Sequence, residues 1–172
     1  MPLTLQQNIS LAAAALNHVV ATLSLGAGNR IDNLQQDAAQ IEIARMRRDV
    51  ELLQGDTPIH RLVAMAKVAR AGNCGEQAML AFQFLKSRGV SPLDIMNFTD
   101  GDHAWVVIGR DANADEDDWD EWGAAAVVCD PWHAFSGDVG TWAVTAAVHL
   151  HRYASQLRFE GPANPIVKSF EI

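Results

Sequence analysis

Three residues in this chain have the types that acyl-transfer chemistry uses: Cys74 in AGNCGEQAMLAF (residues 71–82), His103 in DHAWVVIG (102–109) and Asp130 in VVCDPW (127–132). A thiolate attacks carbonyl carbon, but it needs a base to take its proton and usually a third group to orient that base. An imidazole suits the first task. A carboxylate that fixes the tautomer and stabilises the imidazolium suits the second. Each residue also has a plainer reading. Cysteine is often an inert buried side chain, a histidine at a strand mouth a surface or capping residue, and an aspartate before Pro131 a turn starter. Chemistry requires that the local structure bring the three together.

Apolar side chains recur at helical spacing from Cys74 through Leu85, with Gly89 as a C-terminal cap. Cys74 therefore opens a helix, where unpaired backbone N–H groups favour a thiolate and can hold an oxyanion. Gly72 and Gly75 allow a sharp turn and a close approach of substrate. Beyond Gly89 the period changes. PLDIMNF (92–98), HAWVVIG (103–109) and AAAVVCD (124–130) are rich in strand formers. The acidic stretch DANADEDDWDE (111–121) joins the last two as a long polar loop, so they form a hairpin with an exposed tip. The start of its first strand and the end of its second lie side by side, which makes His103 and Asp130 neighbours. Cys129 alternates with Asp130 and is expected to face away, into the core. Trp105 and Trp132 flank the three residues, as core side chains or as walls of a cleft.

Upstream, residues 4–24, 31–53 and 58–69 read as helices. In the second, Ile31, Leu34, Ala38 and Ile41 recur at three- and four-residue spacing, continued roughly by Met46, Val50 and Leu53. GDTP (55–58) ends one helix and starts the next, with Pro58 in its first turn. Residues 144–158 are expected as a helix, and the tail after Gly161 as irregular or as one edge strand. Helices, then a cysteine-bearing helix, then an antiparallel sheet make an α+β chain.

GNCGEQAMLAFQFLKSRGV, DHAWVVIG and VVCDPW together resemble the transglutaminase-like and papain-like cysteine enzymes. In the transglutaminase-like group a helix-starting cysteine is followed by a glycine-capped helix, a strand beginning near HAW and a strand ending in DP. All three occur here in that order, over residues 71–132. The resemblance implies Cys74 as nucleophile, His103 as general acid and base, Asp130 as orienting carboxylate, and a central cysteine-bearing helix packed on an antiparallel sheet. It implies one papain-like domain over 1–172, with an N-terminal helical region (1–57) and a catalytic core (58–172). The compact spacing is similar to that of small bacterial effector and toxin proteases and glutamine deamidases. One departure stands out. Papain-type enzymes carry a glutamine a few residues before the cysteine to complete the oxyanion hole, and this chain does not. Asn73, or a glutamine from an earlier helix such as Gln36, is left as the side-chain donor.

The whole chain bounds these expectations. Its 172 residues, 49% hydrophobic, suffice for one core that needs no staple. Cys74 and Cys129 are its only cysteines, which points to reduced thiols and a cytosolic environment rather than a disulfide framework. The net charge is −8, but seven acids and no base fall in 111–121, and outside it 14 acids face 13 Lys and Arg. That leaves no basic footprint for nucleic acid. Asp111, Asn113 and Asp115 match the first ligand positions of an EF-hand loop, yet the sixth is Glu116 and the twelfth Trp122, so a solvated acidic loop is expected. No CxxC or HExxH pair supports zinc at Cys74, His103 and Asp130, and His149 and His151 do not share a helix face. No metal or cofactor is expected. ISLAAAALNHVVATLSL (9–25) is interrupted by Asn17 and His18 and is too short to span a bilayer, and no basic residue precedes it as in a secretory signal. Residues 1–31 nevertheless contain no Asp or Glu, which resembles the export signals of bacterial proteins injected into host cells. The expected activity is cysteine-dependent hydrolysis of a protein amide, by glutamine deamidation or peptide-bond cleavage. Transglutamination, acyl transfer from a thioester cofactor, and a non-catalytic binding module on the same fold are the alternatives.

Overall fold

The structure, a computed structural model, describes residues 2–53, 57–98, 103–116, 118–134, 143–147 and 166–171. Four helices come first: α1 (Leu5–Thr22), α2 (Gln36–Glu51), α3 (Ile59–Ala69) and α4 (Cys74–Lys86). They are followed by β1 (Leu93–Phe98), β2 (Ala104–Ile108), β3 (Val127–Cys129), the short helix α5 (Pro131–Ala134), β4 (Val144–Ala146) and β5 (Ile166–Glu171). The strands form one antiparallel sheet in the order β4-β3-β2-β1-β5. The chain is therefore α+β. Among the described residues no helix is long and apolar enough to cross a membrane.

Period-two alternation gives the sheet two buried faces. Leu93, Ile95, Ala104, Val106, Ile108, Val127 and Cys129 pack with Ala12, Ala15 and Val19 of α1 and Ala78, Ala81, Phe82 and Leu85 of α4. Small residues at one spacing of α1 let that helix lie close to the sheet. Leu80, Phe82 and Leu85 each contribute about 1.5–3 kcal/mol by leaving water. The opposite face carries Met96, Trp105, Val107 and Val128, covered by Trp122, Ala126 and Ala147. α4 is thus clamped against the centre of the sheet, and its first residue is held at one end of β2.

The second helix is shorter than its periodicity implies. It begins at Gln36, and Ile31 and Leu34 are wholly exposed, at 94% and 103%. The segment before it is bound elsewhere. Leu25 N–H donates to the Arg70 carbonyl, Gly72 N–H donates to Gly26, and Asn33 Nδ2 donates to the Leu25 and Ala27 carbonyls. Turn chemistry at Asn33 takes the groups that a helix would need. The expected helix at 144–158 is also overturned at its start. Residues 144–146 are β4, which pairs with β3 through Val127↔Ala146 and Cys129↔Val144. The open edge of β3 needs partners for its backbone groups, and Val144 and Thr145 suit a strand. The rest of that expectation, with His149 and His151, lies outside the described residues. The expected edge strand in the tail is β5, on the outer side of β1.

Candidate active site

Cys74 is the first residue of α4, and Asn73 is its N-cap in the extended region. The cap is reciprocal: the Asn73 side chain accepts from the Glu76 N–H, and Glu76 Oε2 accepts from the Asn73 N–H at 2.9 Å. The spacing N-x-x-E in NCGE was a readable signal for it. Asn73 Oδ1 also accepts from the Gly28 N–H at 3.1 Å, which ties the loop after α1 to the thiol's own turn. One turn into α4, Gln77 Nε2 donates to the Gly72 carbonyl at 2.7 Å from a fully buried position. The two glycines differ in role. A Cβ at Gly72 would meet the Glu76 Cβ at 2.6 Å, so close approach demands glycine there, whereas a Cβ at Gly75 would meet nothing within 4 Å.

The hairpin supplies the other two residues. β2 and β3 pair through Val106↔Cys129, Val107↔Val128 and Ile108↔Val127. His103, just before β2, and Asp130, just after β3, meet at the end of this ladder. His103 Nε2 and Asp130 Oδ2 lie 2.5 Å apart, and Asp130 is fully buried. Asp130 Oδ1 accepts from the Trp132 N–H at 3.2 Å, so the aspartate starts the turn into α5 as well as holding the imidazole. Cys74 hydrogen-bonds to His103. With Nε2 engaged by Asp130, Nδ1 is the nitrogen left for the thiol. Burial pushes the His103 pKa down, but the Asp130 charge and the hydrogen bonds to Asp130 and Cys74 outweigh it, and the value is raised to about 10. The imidazolium is the partner that a thiolate needs.

Cys129 is the opposite case. It faces the α1 layer, its Sγ lies 3.5 Å from the Ala12 carbonyl, and burial first, then the Asp130 charge, pushes its thiol pKa up. The tryptophans divide likewise. Trp105 is fully buried on the far face of the sheet and stacks on His103 at 5.7 Å. Trp132 is half-buried, stands edge-on to His103 at 5.5 Å, donates from Nε1 to Asn29 Oδ1 at 2.8 Å, and lies under the Arg30 guanidinium at 4.3 Å. It packs against the His103 ring.

These side chains open on a cavity of about 230 Å³, lined by Cys74, His103, Asn73, Gly75 and Ala104 together with Arg47 from α2 and Asn97 from β1. Neither Arg47 nor Asn97 was singled out from the sequence. Long-range packing brings both here, and only the pairing of Asn97 with Ala104 links one of them to His103. Gln36 is not brought to the thiol: its Nε2 lies 3.4 Å from the Gly28 carbonyl. A groove of about 280 Å³ between α2 and α3, lined by Met46, Met65 and Val68 with a charged rim, has no nucleophile among the described residues of its lining.

The acidic loop sits at the other end of the hairpin. It is less of an open tip than its composition implies, because Trp122 is fully buried and its Nε1 donates to the Asp115 carbonyl at 3.1 Å. Asp111 Oδ1 accepts from the Asn113 N–H and Asp118 Oδ1 from the Asp120 N–H. Among the described residues, His103, Asp130 and His133 have possible ligand atoms within 4.8 Å of one another. Two ligands of one tetrahedral zinc lie about 3.3 Å apart, given bonds of about 2.0–2.1 Å. His103 and Asp130 lie closer than that and hydrogen-bond to each other directly. No protein-family model, curated protein or solved structure matches this chain.

Proposed function

We propose that the chain is a cysteine-dependent hydrolase of protein amides with a papain-like or transglutaminase-like site: Cys74 as nucleophile, His103 as general acid and base, Asp130 as orienting carboxylate. The observation that carries this reading is the continuous hydrogen bonding from Cys74 through His103 to buried Asp130, at the start of a helix and at the wall of a cavity. The Cys74 thiolate adds to the carbonyl carbon of a glutamine side chain or a peptide bond. The carbonyl π pair moves onto oxygen, held by N–H groups of the first turn of α4 and by the Asn73 side-chain amide, whose Oδ1 is already taken up by Gly28. As the C–N bond breaks, the His103 imidazolium gives its proton to the nitrogen, and ammonia or an amine leaves. Water then loses a proton to His103 and adds to the thioester. The C–S bond breaks, releasing a carboxylic acid and the thiolate. A cavity of about 230 Å³ fits a side chain or a short stretch of peptide.

Alkylation is the direct test. At neutral pH iodoacetamide should modify Cys74 well before Cys129. Candidate protein substrates should then show loss of NH₂ for OH if the enzyme is a deamidase, fragments if a protease, and an amine adduct if water is replaced as acceptor. Equal reaction of both thiols, or unchanged turnover in Cys74→Ala, would sink the reading.

A further inference from the structure

We infer that the thiol site takes an amide with a carboxylate close beside the attacked carbonyl, seated on Arg47; this rests on the hydrolase reading above. Arg47 and Asn73 line the Cys74 cavity and also an adjoining depression bounded by Gly28, Gln40 and Ala44, so the two form one trough. The chain carries a net charge of −8, yet among the described residues the lining of this trough includes an arginine and a histidine and no acid. Arg47 is also fixed in place. Its Nε and Nη2 donate to Glu76 Oε1 and Oε2 at 3.1 and 3.3 Å, and Glu76 Oε2 accepts in turn from the N–H of Asn73, the residue before the nucleophile. The guanidinium is thereby indexed to the thiol through two side chains. Its side chain is 53% exposed, and Nη1 makes no hydrogen bond to any described residue. Three N–H donors of a held, charged fork remain for a ligand, two on Nη1 and one on Nη2, the arrangement that favours a planar anion.

The Glu76 carboxylate balances the arginine charge nearby. Selection therefore comes from direct donation by Nη1 rather than from a long-range field. The carboxylate has two sources of the same chemistry, an acidic side chain next to the attacked residue or a chain terminus. Gln36 and Gln40 donate to the Gly28 carbonyl at 3.4 and 2.8 Å, which ties the far bank of the trough to α2.

The test needs no known substrate. Iodoacetate and iodoacetamide alkylate the same sulfur and differ in a carboxylate. The rate ratio of iodoacetate to iodoacetamide at Cys74, divided by that of glutathione, should exceed one by about fivefold, the size of an exposed ion pair. Arg47→Gln should bring it back toward one. Because that change also uncovers Glu76, the ratio is read again in the Arg47→Gln/Glu76→Gln double variant, where it should stay low. A wild-type ratio near one, or a high ratio restored in the double variant, overturns the assignment of Arg47 while leaving the hydrolase reading standing. A Cys74 that neither reagent labels faster than Cys129 overturns both. Peptides with glutamate, alanine or an amidated versus free terminus beside the target amide then separate the two sources. The preferred partner should lower KM in the wild type, and Arg47→Gln should abolish the KM difference between the acidic and neutral peptides, a loss of discrimination that general structural damage, which lowers turnover of all peptides alike, would not produce.

Discussion

His103 is held by Asp130 at Nε2 and hydrogen-bonded to Cys74, with Trp105 stacked on its ring and Trp132 edge-on to it. Its charge has a thermodynamic signature. The ordinary pKa of 6.5 is raised to about 10 in the folded chain, so between these values the native state keeps a proton that the unfolded state has released. Stability must fall as pH rises through that interval. The contribution is complete below about pH 6.5 and gone above about pH 10. Denaturation midpoints across this range should decline more steeply for the wild-type chain than for His103→Gln, and parallel curves would show that the folded imidazole is not held protonated. Near the same turn, Gly72 and Gly75 should part company. Gly72→Ala drives a Cβ to 2.6 Å from Glu76 Cβ and should cost about 1–3 kcal/mol in urea denaturation. Gly75→Ala meets open space and should be neutral or stabilising by up to about 1 kcal/mol.

The elements that hold the site are the start of α4, the end of the β2–β3 ladder, and α5. The last has four residues and little fold of its own. Its position comes from Trp132, which is gripped by Asn29 on Nε1 and by Arg30 both over the ring and at the carbonyl, 3.0 Å away. Arg30 is itself anchored on Asp32, whose pKa the guanidinium hydrogen bond lowers. Trp132 thus positions Asp130. Trp132→Ala should lower kcat by about ten- to a hundredfold, in line with the sensitivity of aligned catalytic groups to small displacements. Trp132→Phe, which keeps a ring beneath Arg30, should retain most of it. Equal losses in the two variants would assign Trp132 to substrate contact or the core.

Across the molecule, charge and chemistry are kept apart. The five-residue β2 spans about 17 Å between the site and the acidic loop, beyond the Debye length of about 8 Å at physiological salt. Changing the exposed Asp111, Asp115, Asp118 and Asp120 to Asn should leave kcat/KM within about twofold. A large change would mean that the loop reaches the substrate. The base of that loop is fastened by Arg110, buried beside Asp94 at 3.0 Å and donating to the Asp111 and Ala114 carbonyls. Asp94→Ala strands a buried cation and should cost about 3–5 kcal/mol in thermal or urea unfolding.

Taken alone, the sequence determined most of what is local. Helical spacing after Cys74, the strand formers around HAWVVIG and VVCD, and the period-two opposition of Cys129 and Asp130 are properties of short windows. The α+β order and the meeting of His103 with Asp130 follow from them. Windows fail where long-range pairing competes with local pattern. Ile31 and Leu34 repeat like helix residues but are exposed, because Asn33 and the Gly26–Gly72 contact bind that segment to the turn before Cys74. Val144–Ala146 is strand because β3 has an open edge to fill. Only the tertiary structure decided what surrounds the thiol. Arg47 lies 27 positions before Cys74 and Asn97 23 after it, and no spacing rule relates them. They share a cavity because α2 packs on α3, which packs on α4, so that Arg47 reaches Glu76 in the first turn of α4, and because β1 pairs with β2.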